Sequence, residues 1–270
     1  MNHFQFRVLL LLFTAAILFA RPAFAQESAE DLAKKLANPV ASLISAPFQL
    51  NYDGDIGPAD DGTRWTLNIQ PVIPISLNEN WNVISRTIVP LISQDDIFPG
   101  AGSQNGIGDT VQSLFFSPVA PTASGWIWGV GPVFLLPTGT DDLLTVDKWG
   151  LGPTGVVLKQ QGPLTYGVLA NHIWSIAGKD SRSDISTTFL QPFMSYTTKQ
   201  AVSFTLNSES TYDWKSEEWA IPMNFLVAKV TKFGGQLVSI GAGVRYWLDS
   251  TPAGPEGFGA RVIVTLLFPK

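Results

Sequence analysis

The chain has 270 residues, 45% of them hydrophobic and only 14% charged, with a net charge of −5 and no cysteine. Soluble domains carry roughly 25% charged residues, so this chain hides an unusual share of itself from water. The lack of cysteine excludes thiol catalysis, a Cys-based zinc site and disulfide stapling, and the acidic balance argues against a nucleic-acid partner.

Residues 1–25 read as a secretory signal peptide: Arg7 precedes the apolar run Val8 to Ala20, and Ala23-Phe24-Ala25 is an A-x-A cleavage site. No later stretch offers about 20 unbroken apolar residues, so no helix is expected to cross a membrane. Segment 26–46 is expected to be helical. Ser28 can cap the N–H of Asp31, Leu32 and Leu36 share a face, and Asn38-Pro39 ends one turn and can begin another. Val40, Leu43 and Ile44 continue the apolar stripe.

From Pro47 the pattern changes to period two. Phe48, Leu50 and Tyr52 alternate with Gln49, Asn51 and Asp53; Trp65, Leu67 and Ile69 alternate with Arg64, Thr66, Asn68 and Gln70. Such runs recur at 47–53, 64–75, 81–92, 108–117, 126–137, 149–158, 165–177, 185–197, 201–213, 219–230, 236–247 and 257–268. The expected fold is all-β: a transmembrane antiparallel β-barrel of about twelve strands over 47–270, in a bacterial outer membrane, with lipid and lipopolysaccharide around it and the outer-membrane assembly machinery as its folding partner. The N-terminal helical segment either packs at the periplasmic mouth of this barrel or enters it as a plug or gate.

The connections alternate in kind. Those at 76–80, 118–125, 159–164, 198–200 and 231–235 are short and form the expected periplasmic set. Those at 54–63, 93–107, 138–148, 178–184, 214–218 and 248–256 are longer or more acidic, as external loops are. No D-x-D-x-D-G loop occurs, so no calcium site is expected, and neither metal nor cofactor is called for. Trp65, Trp149, Trp174, Trp214, Trp219 and Trp247 fall near external strand ends and Trp81, Trp126 and Trp128 near periplasmic ends, the sorting of an aromatic girdle at headgroup level. Pro71, Pro74, Pro90, Pro132, Pro153, Pro192 and Pro222 lie in or near strands and predict bulges, kinks or strand ends.

The last run, Gly257 to Phe268, has an apolar even-numbered face and a face carrying Arg261. The barrel reading requires Arg261 to point inward and this strand to pair with the first. The polar faces together nominate Gln49, Asn51, Arg64, Asn68, Gln70, Arg86, Asn207, Glu209, Arg245 and Arg261 as lumen-lining residues, with the arginines pairing with Glu209 and nearby acids. Such a network either stiffens a narrow barrel or forms a constriction that selects solutes. Phe115, Phe189 and Phe193 favour an apolar or aromatic solute if they face inward. No enzymatic activity is expected: His172 is the one histidine beyond the signal peptide, Ser175 falls on the opposite strand face, and no G-x-S-x-G turn occurs.

Several stretches also carry a resemblance: 33–45 (AKKLANPVASLIS) with Pro47-Phe48-Gln49, then 66–74 (TLNIQPVIP), 84–90 (ISRTIVP), 129–132 (GVGP), 171–175 (NHIWS) and the closing 266–270 (LLFPK). Over nearly all of the mature chain the sequence resembles the bacterial outer-membrane family named for the MetA pathway of phenol degradation, often labelled "transporter" or "neuromedin U". The resemblance implies an outer-membrane barrel linked to uptake of aromatic compounds and supplies no catalytic residues. Passage of small hydrophobic or aromatic solutes is therefore the expected function. The alternative is a structural or adhesive envelope barrel with an occluded lumen, acting through its external loops.

Overall fold

The computed structural model describes residues 28–269; the signal peptide expected over 1–25 and Lys270 lie outside them. One short helix, α1 (Ala29–Leu36), opens the described chain. Ser28 caps it, its Oγ accepting from the Asp31 N–H at 3.1 Å, and Glu30 and Asp31 lie in its first turn where the helix dipole favours acids.

Strands make up almost all the rest: β1 (Ile44–Ile56), β2 (Gly62–Ile69), β3 (Val72–Ser76), β4 (Trp81–Asp95), β5 (Ser103–Ile107), β6 (Thr110–Pro118), β7 (Trp126–Leu136), β8 (Lys148–Gln161), β9 (Leu164–Gly178), β10 (Ser186–Thr197), β11 (Val202–Ser208), β12 (Ser210–Asp213), β13 (Glu218–Phe233), β14 (Gln236–Asp249) and β15 (Phe258–Phe268). The pairs β2/β3, β5/β6 and β11/β12 are each one stave of the wall interrupted once. The result is a closed antiparallel barrel of 12 staves. Closure is direct: β15 pairs with β1 from Ile44↔Phe268 to Tyr52↔Ala260. The first strand begins at Ile44 rather than Pro47, because the seam continues its ladder to the chain's last strand.

Residues 77–80, 119–125, 162–163, 198–201 and 234–235 turn at the end that also holds Ile44 and Phe268, taken as periplasmic. The longer connections lie at the other. One of the two two-residue periplasmic hairpins joins Phe233 to Gln236 through Gly234 and Gly235, at φ 55° and 89°. Two successive positive φ values match the right-handed strand twist, and glycine adopts them without strain.

The prolines divide. Pro71 separates β2 from β3, and Pro222 sits at a register shift between β13 and β14. Pro74, Pro90, Pro132, Pro153 and Pro192 remain inside strands. Pro132 and Pro153 oppose each other. On their far sides the ladders lapse, between Ser113↔Val133 and Phe116↔Val130 on one and Leu151↔Trp174 and Thr154↔Asn171 on the other. Two donor-less residues thus concentrate the ladder deficit at one height of the wall.

Side chains alternate across the wall. On β15, Phe258, Val262 and Val264 are exposed while Arg261, Thr265 and Leu267 are buried. Phe116, Val130, Val157, Leu190, Met194, Phe204, Leu206, Phe225, Val227, Ile240 and Val244 continue the exposed apolar belt around the barrel. A continuous apolar belt of this height on a closed sheet suits hydrocarbon rather than water. No helix among the described residues is long and apolar enough to cross a membrane.

Candidate functional site

Two contacts locate the interior without reference to burial. Arg261 on β15 grips Glu209, the residue between β11 and β12, with Nη1–Oε1 at 2.9 Å and Nη2–Oε2 at 2.7 Å. Asp53 on β1 accepts from Trp247 Nε1 at 3.0 Å and faces Arg245 Nη1 at 3.4 Å, both on β14. Neither pair joins neighbouring staves. Side chains that reach past an intervening stave meet on the concave inner face, as Asp53 and Arg245 do over Gly259 of β15.

A polar wall is built on these contacts. Arg261 Nε also donates to Asn51 Oδ1 at 2.7 Å, and Gln49 Nε2 reaches the same oxygen at 3.4 Å. Arg86 Nη2 donates to Gln70 Oε1 at 3.0 Å, and Arg64 Nε to Gln94 Oε1 at 2.8 Å. Gln94 passes the chain on to Gln104 at 3.0 Å. Asn207 accepts from Asn224 Nδ2 at 2.9 Å, and Asn68 stands opposite Gln49 in register. Arg245 lays its guanidinium over the Trp247 ring at 4.9 Å; its Nε, and Asn224 Oδ1 across the ladder, are buried without a partner.

The opposite wall is apolar. Ile84, Phe115, Val156, Leu158 and Leu169 form one buried cluster with Phe189 and Phe193 against it. Val40 stands in this cluster although it precedes the barrel. A second cluster joins Leu32, Ala33 and Leu43 to Ala201, Val230, Leu237 and Leu267 at the periplasmic end. The N-terminal segment therefore runs inside the bore and touches opposite walls. Gln160 Nε2 donates to Lys34 O at 2.9 Å, and Asn82 Nδ2 to Ser42 Oγ at 3.0 Å. Gly129 makes room for it: a Cβ there would lie 3.1 Å from Val40 Cγ1. The helix thus packs at the periplasmic end, and Val40 beyond it reaches the interior apolar cluster.

The external mouth is narrowed too. Residues 137–147 bend inward, with Leu144 buried near Gly106 and Gly108. Asp109 holds them, accepting from Gly139 N at 3.0 Å, Thr145 Oγ1 and Val146 N at 2.7 Å. From the neighbouring loop, Lys179 and Arg182 pair with Asp147 at 2.9 and 3.2 Å, and Lys148 meets Asp184 at 3.2 Å. The hydrogen bond from Lys179 holds the Asp147 carboxyl below its ordinary range, and that from Lys148 does the same for Asp184.

The nominated tryptophans do not all belong to a girdle. Trp65, Trp81, Trp126, Trp149, Trp174, Trp214 and Trp219 are exposed on the outer face, and Trp128 stacks edge-on against Trp81 there at 5.8 Å. Trp247 is a correction: it shares strand phase with Arg245, points into the bore and bonds Asp53. Asp53 itself, Gln94, Gln104 and Asn224 were not singled out from the sequence. Asp53 was within reach of it, since it continues the phase of Gln49 and Asn51.

On the outer face His172 gathers partners from the next stave. Its Nδ1 lies 2.7 Å from Thr188 Oγ1 and its Nε2 3.4 Å from Ser186 Oγ, while Trp214 Nε1 donates to Thr188 at 2.8 Å. Ser175 instead bonds Asp184. The nearest hydroxyls come from across the ladder, a relation that spacing within one strand does not reveal. Among the described residues no His, Cys, Asp and Glu group is arranged to hold a metal ion.

No family model and no curated protein matches the chain. Among solved structures it is similar to the COG4313 outer membrane channel of Pseudomonas putida F1, with a TM-score of 0.64 at 14% identity over 84% of this chain and 96% of that one. The NanC porin gives a TM-score of 0.49 and 10% identity, covering 84% of this chain and 100% of the other. Outer membrane phospholipase A from Escherichia coli gives 0.49 and 9%, covering 83% and 90%. The likeness to the channel establishes the fold as that of an outer-membrane barrel. One expectation is corrected: with a phospholipase among the barrels matched, the fold class houses enzymes beside channels, and the exclusion of an enzymatic activity does not stand.

Proposed function

We propose that this barrel is an outer-membrane channel for small hydrophobic or aromatic solutes. The observation that carries the reading is the two-sided bore. Phe115, Phe189 and Phe193 belong to an interior apolar cluster, while Asn51, Arg86, Arg261 and Glu209 line the wall facing it. Val40 of the N-terminal segment packs on part of the apolar wall. A solute with an apolar body can slide along one wall while water and polar groups occupy the other. The resemblance to the phenol-degradation family supports an aromatic body. Reconstitution into liposomes and planar bilayers tests this: solute flux and stepwise conductance are expected, and a barrel that passes neither ions nor aromatic solutes under any condition ends the proposal.

One observation favours a structural or adhesive role instead. The N-terminal segment packs into the periplasmic end of the bore with buried Leu32, Ala33, Val40 and Leu43. Deletion of the external loops separates the two readings. An envelope phenotype lost while flux is unchanged belongs to the structural role; flux lost with the bore mutated belongs to the channel.

A further inference from the structure

We propose that the solute carries a negative charge, and that it is an organic anion with an apolar or aromatic body, such as an aromatic carboxylate. This deepens the channel reading and rests on it. Among the described residues, the charged groups sharing the middle of the bore are Arg64, Arg86, Arg245 and Arg261 against Asp53 and Glu209. Glu209 spends both its oxygens on Arg261. Asp53 divides its oxygens between Arg245 and Trp247. Arg64 and Arg86 bond the uncharged amide oxygens of Gln94 and Gln70. Asp109, nearer the external mouth, is engaged by the backbone and threonine of residues 139–146. The bore therefore holds more positive than negative charge. A guanidinium has five N–H donors, so Arg64 and Arg86 have donors to offer beyond these bonds.

The positions of these arginines specify the rest of the solute. Arg86 stands on β4 between Val72 on one side and Ser113 on the other. One inward position along β4 is Ile84, which opposes Phe115 in the apolar cluster. The charge thus sits at the border of the aromatic wall. A planar carboxylate docks on a guanidinium in a two-pronged hydrogen bond, and the attached ring then reaches toward Phe189 and Phe193, the partly buried phenylalanines at the edge of that cluster. A cation meets repulsion in this bore, and a neutral apolar solute makes no use of the arginines. Arg245, 7% exposed and with its Nε unpartnered, adds a further positive group to the polar wall.

The test uses the full-length chain in planar bilayers under a KCl gradient. The reversal potential is expected to show chloride preferred over potassium. Arg86→Gln and Arg64→Gln should each lower that preference by about fivefold, the effect of one unit charge acting at several ångströms through a wet bore. Arg86→Lys, which keeps the charge, should retain most of it and controls for folding. In parallel, benzoate and benzyl alcohol are titrated against the detergent-solubilised barrel by calorimetry. Benzoate should bind more tightly, and Arg86→Gln should erase the difference. A cation-preferring channel, a selectivity indifferent to both substitutions, or equal binding of benzoate and benzyl alcohol overturns the proposal. The binding arm decides it even if no conductance is seen, an outcome that counts against the channel reading alone.

Discussion

Replacing Glu209 by Ala isolates what the ion pair across the bore contributes. Arg261 is 4% exposed, and Glu209 supplies both of the oxygens that its Nη1 and Nη2 bond, at 2.9 and 2.7 Å. Removing one member of a buried pair costs about 3–5 kcal/mol, because the survivor stays desolvated and unpaired. Two features reduce that figure: Glu209 is 22% exposed, and Arg261 keeps its bond to Asn51. A loss of about 2–3 kcal/mol is expected. Urea unfolding of the barrel in lipid bilayers, followed by tryptophan fluorescence, measures it. The double variant Glu209→Gln with Arg261→Met should recover most of the loss, since it removes both charges together. A single-variant loss below about 0.5 kcal/mol, within the scatter of surface substitutions, would refute the reasoning.

The N-terminal segment, the wall glycine and the external loops give three further tests. Leu32→Ala empties a fully buried position in the periplasmic cluster and should weaken docking of that segment by about 2–4 kcal/mol, raising the open fraction in single-channel records. Gly129→Val should act in the same direction. Its Cβ would already lie 3.1 Å from Val40 Cγ1, and overpacking costs about 1–3 kcal/mol; wild-type open probability in that variant would mean that Val40 does not seat there. The external ion pairs should loosen in acid. Asp147 and Asp184 have depressed pKa values, so their pairing is fully present above their ordinary 3.8 and is lost as pH falls through the lowered folded values. Protease cleavage between 137 and 185 should therefore rise at low pH and in high salt, and a rate flat in both would mean that these pairs do not hold the loops.

Strands were legible wherever period two was clean. The barrel's closure could be foreseen because the backbone edge of the last strand needs a partner, and its Arg261 face needs a polar interior. The height of a residue along a strand was a weaker guide than its phase. Trp247 lies near an external end, as girdle residues do, yet its phase with Arg245 turns it inward to Asp53. Asp53 shares the phase of Gln49 and Asn51 but adjoins acidic Asp55, which lies at the external end. Beyond the closing seam and the expected arginine–Glu209 pairing, relations between staves were not legible. The register that places Thr188 opposite His172 is set by the connection over residues 179–185, and the inward fold of residues 137–147 depends on Asp109, far from it in sequence. Prolines were legible as disturbances, but not which of them a strand would absorb. Pro132 and Pro153 are tolerated because each faces the other.

The seam between Ile44 and Phe268 has a kinetic meaning. It joins the start of the barrel to its end, so it is the contact with the longest intervening chain and, by loop-closure entropy, the last to form. Leu43 adjoins this seam and shares a buried cluster with Leu267. The segment that carries Leu43 is therefore tethered to the strand that waits longest for its partner. In a sheet that rolls up from its hairpins, the N-terminal segment lies on the inner surface before the cylinder shuts. It is wrapped rather than threaded, and the apolar groups of the final strand meet it as they arrive.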